Sequence, residues 1–178
     1  MGRKLSKICT LYSAYILVLV SLILPLSSFA TEFEVTNAPS AIVMDGDSLE
    51  INHNRIRLMG IDAPEYTQLC KDEHNQKYSC GKVALNHLTS LIRGKNLHCT
   101  SKKKDKYNRY LCFCKANNVD INREMVLSGH ALSYMESPYL LEQTIAHKNK
   151  RGIWKGNFMH PRLYRILLNH QKKTKKTN

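Results

Sequence analysis

The sequence predicts an α+β fold, in which a small closed sheet of at least five short strands carries helices packed on it. Three observations support this prediction: short segments rich in strand formers, three segments with helical spacing of apolar residues, and no regular alternation of strand and helix. A chain of 178 residues holds one domain of ordinary size plus extensions. We therefore expect a single hydrophobic core.

Five segments are predicted strands: residues 41–44, 48–52, 55–61, 96–100 and 109–115. Residues 31–40 are polar and predicted to be a lead-in. The second and third strands form a hairpin around His53-Asn54. If residue 52 lies opposite residue 55, Leu49 faces Leu58 and Ile51 faces Ile56, which gives the hairpin one apolar side.

Three segments are predicted helices. In residues 81–93 the apolar residues recur at helical spacing, and Gly94 follows as a stop. Asp120 can cap a second helix that ends at Gly129. A third helix covers about residues 139–150. We expect the domain to span residues 31–165 and the basic tail, residues 166–178, to be disordered.

The first thirty residues have the layout of an export signal. Arg3, Lys4 and Lys7 precede an apolar run over residues 8–24, and small residues surround a possible cleavage point at Ala30. An uncleaved membrane anchor is the alternative, because the run approaches the length that spans a bilayer. In either case we expect residues 31–178 to be exported, as a secreted, periplasmic or membrane-anchored protein.

Export makes disulfides the default state of the cysteines. Cys70 and Cys80 could close a short loop. Cys99 could bond Cys112 or Cys114, because residues two apart on a strand point to the same face, and one thiol is left over. A zinc site that includes Cys70, His74 and Cys80 is disfavoured, since it lacks a fourth ligand at ordinary spacing.

The charge of the chain favours a polyanionic partner. Residues 1–30 contain three of the 27 Lys and Arg residues and none of the 14 Asp and Glu residues, so the remainder has 24 against 14, a net charge of +10. Nucleic acid, anionic lipid and cell wall all fit such a charge.

Four carboxylates are candidate ligands of a calcium ion, which prefers oxygen ligands. They are Asp45, Asp47, Asp62 and Glu65. The predicted register places residue 47 opposite residue 60, so Asp47 and Asp62 lie at one end of the hairpin and on the same side. Each motif also has a purely structural explanation, because Asp-Gly is a common turn and Asp62 to Glu65 could form a proline-rigid loop.

Two arginines are candidate phosphate ligands, since a guanidinium group can grip two phosphate oxygens. Arg57 lies inside the hairpin and Arg109 begins a later strand. A surface ion pair is the alternative for either, and Glu50 could pair with Arg57. Simple alternation places Arg57 on the face opposite Asp47 and Asp62, so a bulge or bend would have to bring them together.

Three motifs together resemble the signature of the staphylococcal nuclease family: Asp45-Gly46-Asp47-Ser48, residues 57–65 and Asp105-Lys106-Tyr107-Asn108-Arg109. Their order and spacing both match. The likeness continues through Cys80-Gly81, Asp120-Ile121-Asn122, Gly129-His130-Ala131 and Gly152-Ile153-Trp154, so that it covers residues 41–161.

The resemblance implies a five-stranded OB-fold barrel with three helices. It implies calcium bound by Asp47, Asp62 and the carbonyl of Ala63, with Arg57 and Arg109 on the scissile phosphate. Glu65 takes the position of the proposed general base. Lys106 and Tyr107 match residues that touch the terminal phosphate of a bound nucleotide.

In the exported branch of the family, the cysteines would pair as Cys70 with Cys80 and Cys99 with Cys114, which leaves Cys112 spare. The chain departs from the family at Ser48, which replaces threonine, at Ala63, which replaces threonine, and at Asn108, which replaces glycine. Ser48 keeps the hydroxyl, Ala63 supplies only its carbonyl, and Asn is the residue that best tolerates the positive φ of a turn glycine.

The function implied is that of a calcium-dependent nonspecific endonuclease acting on DNA, RNA or both. An OB-fold module that binds nucleic acid without cleaving it is the alternative. A scaffold that uses only its charge would leave Asp47, Asp62 and Glu65 unexplained. No stable protein partner is implied, and we expect a monomer.

Overall fold

A computed structural model describes residues 32–38, 41–134 and 136–175 of the chain. The predicted export segment, residues 1–30, lies outside the described residues. Within the described ranges, no helix combines the length and the apolar character needed to span a bilayer.

The described residues form eleven strands, most of them short. In chain order they are β1 (Phe33–Ala38), β2 (Ile42–Asp45), β3 (Ser48–Ile51), β4 (Asn54–Leu58), β5 (Ile61–Asp62), β6 (Cys70–Lys71), β7 (Lys77–Tyr78), β8 (Leu97–Ser101), β9 (Tyr110–Ala116), β10 (Val119–Asp120) and β11 (Leu132–Ser133). The main sheet has the order β1-β8-β9-β4-β3-β2, with β10 also on β9. Strands β4 and β9 are parallel, and the other pairs are antiparallel.

Four α-helices accompany the strands within the described ranges: α1 (Cys80–Ile92), α2 (Ile121–Leu127), α3 (Leu140–Lys148) and α4 (Pro161–Thr174). A 3₁₀ turn, Gly152–Lys155, precedes α4. The mixed sheet curls into a half-barrel, and the fold is α+β of the OB type, as predicted. The first three helices confirm the helices predicted from the sequence.

Helix α4 corrects the prediction of a disordered tail from residue 166. The helix runs through this point to Thr174. Pro161 stands at its first turn and the ring of His160 accepts the N–H of Arg162, which is a favourable helix start. Lysines dominate the composition of the residues that follow. The helical spacing of Leu163, Ile166 and Leu167 therefore does not show in the composition of the tail. Residues 176–178 lie outside the described residues.

Strand β1 corrects the prediction that residues 31–40 are only a lead-in. It pairs with β8 in a register that sets Phe33 opposite Ser101 and Val35 opposite Cys99. Val35 is buried in the core, whereas Glu34 and Thr36 are exposed. The alternation of buried and exposed side chains in β1 is too short for the sequence alone to distinguish an edge strand from a polar segment.

The predicted register of the hairpin was wrong by two residues. Leu49 lies opposite Ile56 and Ile51 lies opposite Asn54. The turn residues are Asn52 and His53, both with positive φ, as a tight hairpin turn requires. Because a shift of two residues preserves the side on which each side chain lies, the predicted apolar side is still the buried side.

The core lies between the sheet and the first two helices. Leu49, Ile51, Ile56 and Leu58 contribute from the hairpin, and all four are buried. The helices add Ala84 and Leu88 from α1 and Ile121, Met125 and Val126 from α2. Burial of such side chains stabilises the fold by roughly 1.5 to 3 kcal/mol each, so this packing fixes the sheet end where the polar side chains gather.

Two disulfides join neighbouring elements. Cys70 of β6 bonds Cys80, the first residue of α1, and Cys99 bonds Cys114 directly across β8 and β9. Both pairs are those that the family resemblance implies. Cys112 is a buried free thiol, and burial raises its pKa to about 11.

Candidate active site

One end of the half-barrel gathers the predicted site residues from four neighbouring segments. Asp47 lies in the turn between β2 and β3, Arg57 lies near the end of β4, Asp62 ends β5, and Arg109 directly precedes β9. The turn is closed by a hydrogen bond from the Gly46 N–H to Asp45 Oδ1 at 2.8 Å. Strands β3, β4 and β9 are adjacent in the sheet, and Arg57 lies opposite Ser48 of β3 and Leu111 of β9, so Asp47 and Arg109 lie one and two residues from the neighbours of Arg57.

Asp47 is fixed by three partners. The residue is 3 % exposed. Its Oδ2 accepts the N–H of Ala63 at 2.8 Å, and its Oδ1 accepts the hydroxyl of Ser48 at 3.0 Å. Oδ1 also pairs with Arg57. The bond to Ala63 ties the turn that carries Asp47 to the segment that carries Asp62.

Arg57 bridges the two aspartates. Its Nη1 pairs with Asp47, and its Nη2 donates to Asp62 Oδ1 at 3.0 Å and to the carbonyl of Ile61 at 3.1 Å. Burial lowers the pKa of Arg57 below its ordinary value, and the charge of Asp62 opposes this effect. In the sheet Glu50 lies opposite Arg55. It is therefore not the partner of Arg57 that the predicted hairpin register suggests.

The apparent conflict between Arg57 and the aspartates has a structural solution. Asp47 lies in a turn, not in β3, and Asp62 follows the turn at Met59-Gly60, where Gly60 has a φ of +79°. Strand alternation therefore does not continue from Arg57 to either aspartate. The turn at Met59-Gly60 therefore takes the place of the bulge or bend that the sequence-based prediction required.

Asp62 is the most heavily shared carboxylate of the site. The residue is 1 % exposed. Besides Arg57, it binds Arg165 of α4 through both oxygens, from Nη1 to Oδ1 at 2.9 Å and from Nη2 to Oδ2 at 3.0 Å. Arg165 Nη1 also donates to Glu65 Oε1 at 2.7 Å. The hydrogen bonds to Asp62 and Glu65 outweigh the effect of burial and raise the pKa of Arg165.

The loop that carries Glu65 is held by its own backbone. The Gln68 N–H donates to the Glu65 carbonyl at 2.7 Å, and the buried Gln68 side chain accepts the Glu65 N–H at 3.2 Å. Gly81 at the start of α1 packs so closely on the Glu65 carbonyl that a β-carbon there would overlap it. The Glu65 backbone is thereby fixed against α1.

Arg109 is oriented by Asp105, in a tight turn before β9. Its Nε donates to Asp105 Oδ2 at 2.8 Å and its backbone N–H to Asp105 Oδ1 at 3.0 Å. Partial burial acts against the charge of Asp105, but these bonds outweigh it and lower the pKa of Asp105. Asn108 has a φ of +62°, so asparagine takes the left-handed conformation as expected. Arg109 Nη1 reaches the Ser48 hydroxyl at 3.4 Å.

Ser48 therefore connects the two halves of the site, since it contacts Asp47 and Arg109. The contacts form one continuous series, which runs through Glu65, Arg165, Asp62, Arg57, Asp47, Ser48, Arg109 and Asp105. Beside it, Tyr107 is exposed, and its ring lies 5.6 Å from the guanidinium carbon of Arg109 and 5.1 Å from Lys106 Nζ.

The family model for staphylococcal nuclease homologues matches residues 55–156, which include Arg57, Asp62, Glu65 and Arg109. The chain belongs to the staphylococcal nuclease family. Asp47, which precedes the matched range, joins the site through Ala63 and Arg57.

Several relatives are similar to the chain. The succinoglycan biosynthesis protein ExoI of Rhizobium meliloti is 34 % identical over 125 residues, which cover 67 % of this chain and 65 % of that protein. An uncharacterized endonuclease of Escherichia coli O157:H7 is 33 % identical over 121 residues, 63 % of this chain and 72 % of that protein.

A probable staphylococcal-like nuclease of rice, Oryza sativa subsp. japonica, is 32 % identical over 104 residues, 56 % of this chain and 25 % of that protein. The chain thus spans slightly less than two thirds of the Rhizobium relative and a quarter of the rice relative.

The donor atoms near Asp47 fit the hard cation that the staphylococcal nuclease family implies. Asp47 Oδ2 and Asp62 Oδ2 each accept a single hydrogen bond, so each keeps capacity for one more contact. The Ala63 carbonyl, next to Asp62 in the chain, would add a third oxygen. Within the described ranges, no group of three or more His, Cys, Asp or Glu side chains forms a metal site, so a cation here would need the carbonyl and water as well.

Burial also affects Asp45, the fourth carboxylate considered from the sequence. It raises the pKa of Asp45 to about 6, against the hydrogen bond from the Gly46 N–H. Asp45 uses its Oδ1 to close the turn that presents Asp47.

Sequence reasoning missed three contributors to the site. Arg165 gave no signal, because it lies beyond the matched motifs. The sequence does not distinguish Gln68 from a surface glutamine, but the structure shows that Gln68 is buried. Asp105 belongs to the recognised motif, but its bonds to Arg109 follow only from the turn.

Proposed function

We propose that the protein is a calcium-dependent endonuclease that hydrolyses phosphodiester bonds of DNA, RNA or both without sequence specificity. Membership of the staphylococcal nuclease family and the endonuclease names of relatives support this proposal. The observation that carries it is the continuous series of contacts that gathers Asp47, Arg57, Asp62 and Arg109 at one end of the sheet.

Arg57 and Arg109 would bind the scissile phosphate. Their side chains are 16 % and 22 % exposed, so each stays partly accessible while carboxylates fix its guanidinium group. A fixed guanidinium fork can hold two phosphate oxygens and stabilise the charge that builds on them in the transition state. Because Asp105 and Asp47 already orient the two groups, little reorganisation is needed when a phosphate arrives.

Asp47, Asp62 and the Ala63 carbonyl would hold calcium. When bound, calcium supplies positive charge that offsets the charge of the phosphate. The Glu65 side chain lies at the edge of the same group of residues, paired with Arg165 and partly exposed. From this position its carboxylate can orient a water molecule and accept its proton.

Lys106 and Tyr107 would contact the terminal phosphate of a bound nucleotide. Both side chains are exposed beside Arg109, at the opposite side of the site from Glu65. Their substitution should change substrate affinity more than turnover, because the bond that Tyr107 makes to Asp105, at 2.9 Å to Oδ1, comes from its backbone N–H and survives a change of side chain.

The two disulfides fit an oxidising environment outside the cytoplasm. We further propose that the protein is exported and acts as a monomer on nucleic acid in that environment. The excess of basic residues would strengthen binding to a polyanion.

The test is cleavage of supercoiled plasmid and of RNA by the purified protein, with calcium or with EGTA. We expect cleavage with calcium, its loss in EGTA, and its return when calcium is added in excess. Asp62→Asn, which keeps the shape of the side chain, should be inactive under all conditions. Nucleic-acid binding that persists in EGTA without cleavage in calcium would favour the binding module instead.

A further inference from the structure

We infer that Arg165 of α4 competes with the cation for Asp62, and that this competition sets the calcium concentration at which the site is occupied. The inference rests on the proposed function, because it assumes that Asp62 is a cation ligand. It concerns a residue that lies outside the range matched by the family model, which ends at residue 156.

Arg165 already occupies the position of a cation with respect to two carboxylates. Its guanidinium group binds Asp62 as a fork, at 2.9 Å to Oδ1 and 3.0 Å to Oδ2, and reaches Glu65 Oε1 at 2.7 Å. Such paired, charge-assisted hydrogen bonds are among the strong contacts of proteins. A positive group thus balances the charge of Asp62 and Glu65 from the side of α4.

The atom that would bind calcium is the atom that Arg165 shares. Asp62 Oδ1 already accepts bonds from Arg57 and Arg165, so Oδ2 is the oxygen with capacity left for a cation. A divalent cation on Oδ2 would stand a few ångströms from a guanidinium on the same oxygen. Like charges so close, beside a carboxylate that is 1 % exposed, repel strongly.

The two partners of this contact differ in their freedom to move. The Asp62 side chain is 2 % exposed and is also held by Arg57, whereas the Arg165 side chain is 37 % exposed. Within α4 only Pro161 is buried. When the two positive charges meet, we therefore expect Arg165 to swing towards solvent while Asp62 stays in place.

Helix α4 would remain attached during this movement. The Tyr164 hydroxyl donates to the Thr67 carbonyl at 3.0 Å, and the Gln68 side chain donates to the Met159 carbonyl at 2.6 Å just before the helix. These contacts do not use the carboxylates of Asp62 and Glu65, although the Gln68 side chain also accepts the Glu65 N–H. The Arg165 side chain is thus the part of α4 that would have to leave Asp62 for a cation to bind.

The competition implies a reciprocal coupling. If Arg165 weakens calcium binding by some factor, calcium weakens the hold of Arg165 on Asp62 by the same factor. Without calcium, Arg165 compensates the charge of Glu65 and adds to the compensation that Arg57 gives Asp62, which stabilises the site. With calcium, that role passes to the ion.

The test is calorimetric titration of calcium into the wild-type protein, Arg165→Ala and the matched control Arg162→Ala. Arg162 is exposed on the same helix and lies outside the site, and its loss changes the net charge equally. We expect Arg165→Ala to bind calcium about tenfold more tightly than wild type, within the usual range of such couplings. Arg162→Ala should differ from wild type by less than about twofold, because exposed charges are screened.

Arg165→Lys provides a second variant if the alanine variant folds poorly. Lysine keeps the charge but cannot form the fork, so calcium affinity should lie between those of wild type and Arg165→Ala. Equal or weaker calcium binding by Arg165→Ala and Arg165→Lys would overturn the competition and leave the calcium site intact. Absence of calcium binding in every variant would overturn the competition together with the calcium dependence of the proposed function.

Discussion

Arg57 shows how one partly buried residue can organise an active site. It contacts Asp47, Asp62 and the carbonyl of Ile61, so it links the turn before β3 to the segment after β4. Lysine could reach one of these groups but could not bridge them, because its charge is concentrated on one atom. The function proposed for Arg57 therefore depends on guanidinium geometry as well as on charge.

We predict that Arg57→Lys and Arg109→Lys each lower turnover by at least about a hundredfold, because loss of one preorganised donor to the transition state costs this much in other enzymes. The folded structure should persist, since charge is retained. Steady-state cleavage of a labelled oligonucleotide and circular dichroism measure the two effects. Wild-type rates in both variants would remove the arginines from the mechanism. Arg93→Lys serves as the control, because Arg93 is exposed and directly follows α1.

At the level of elements, Asn122 of α2 holds the half-barrel together near the site. Its Oδ1 accepts the Cys114 N–H at 3.0 Å, and its Nδ2 donates to the carbonyls of Met59 at 2.9 Å and Cys112 at 3.0 Å. The side chain is fully buried. It connects α2 to β9 and to the end of β4, directly before the turn that leads to Asp62.

We predict that Asn122→Ala lowers the free energy of unfolding by about 2 to 4 kcal/mol, because the change leaves buried backbone groups without partners. Urea denaturation measures the effect. Asn169→Ala, on the exposed face of α4, should change stability by less than about 0.5 kcal/mol. A similar small loss in Asn122→Ala would show that water replaces the missing bonds.

The packing of α1 and α2 also makes stability depend on pH. His87 of α1 stacks on His130 after α2, with ring centroids 4.1 Å apart. Burial, and then the neighbouring His87, lower the pKa of His130 to about 4. Since the unfolded state then binds a proton that the folded state does not, stability is lost as the pH falls from about 6.5 towards 4.

We predict that the wild-type protein loses about 1 to 2 kcal/mol of stability from this residue between pH 7 and pH 4.5, a reduced value because His130 is only partly buried. His130→Gln cannot take up the proton, so its stability should depend less on pH. Urea denaturation of both proteins at the two pH values measures the difference. Equal pH dependence of the two proteins would contradict the assignment to His130.

The predicted elements show what the sequence reveals and what depends on tertiary structure. Helices α1 to α3 could be predicted because their apolar spacing and end signals are local. The hairpin register could not, because Asn52-His53 and His53-Asn54 offer the same two residue types to the turn, and the pairing of β3 with β4 decides between them. The meeting of Arg57 with Asp62 required the turn at Gly60, and the contact between Arg165 and Asp62 joins residues 103 positions apart.

At the scale of the whole molecule, the two disulfides reinforce different regions. Cys70–Cys80 joins the segment after Glu65 to the start of α1, and the Cys80 sulfur lies 3.4 Å from the Gln68 carbonyl. Cys99–Cys114 instead links β8 to β9 within the sheet. Only the first bridge constrains the loop that carries a site residue.

We predict that replacing either cysteine pair by alanine lowers stability by about 2 to 4 kcal/mol, as the loss of a loop-closing bond generally does. The Cys70→Ala, Cys80→Ala variant should in addition lose activity, because the Glu65 loop becomes less constrained. The Cys99→Ala, Cys114→Ala variant is the matched control and should retain its turnover at temperatures where it is folded. Equal turnover in the two variants would show that the Glu65 loop is fixed by Gly81 and Gln68 without the bridge.

The most direct test of the proposed site is a crystal structure of the protein with calcium and a nonhydrolysable dinucleotide. We expect a cation about 2.3 to 2.6 Å from carboxylate oxygens of Asp47 and Asp62, and one phosphate between the guanidinium groups of Arg57 and Arg109. A cation bound elsewhere, or a phosphate that contacts neither arginine, would contradict the proposed catalytic mechanism.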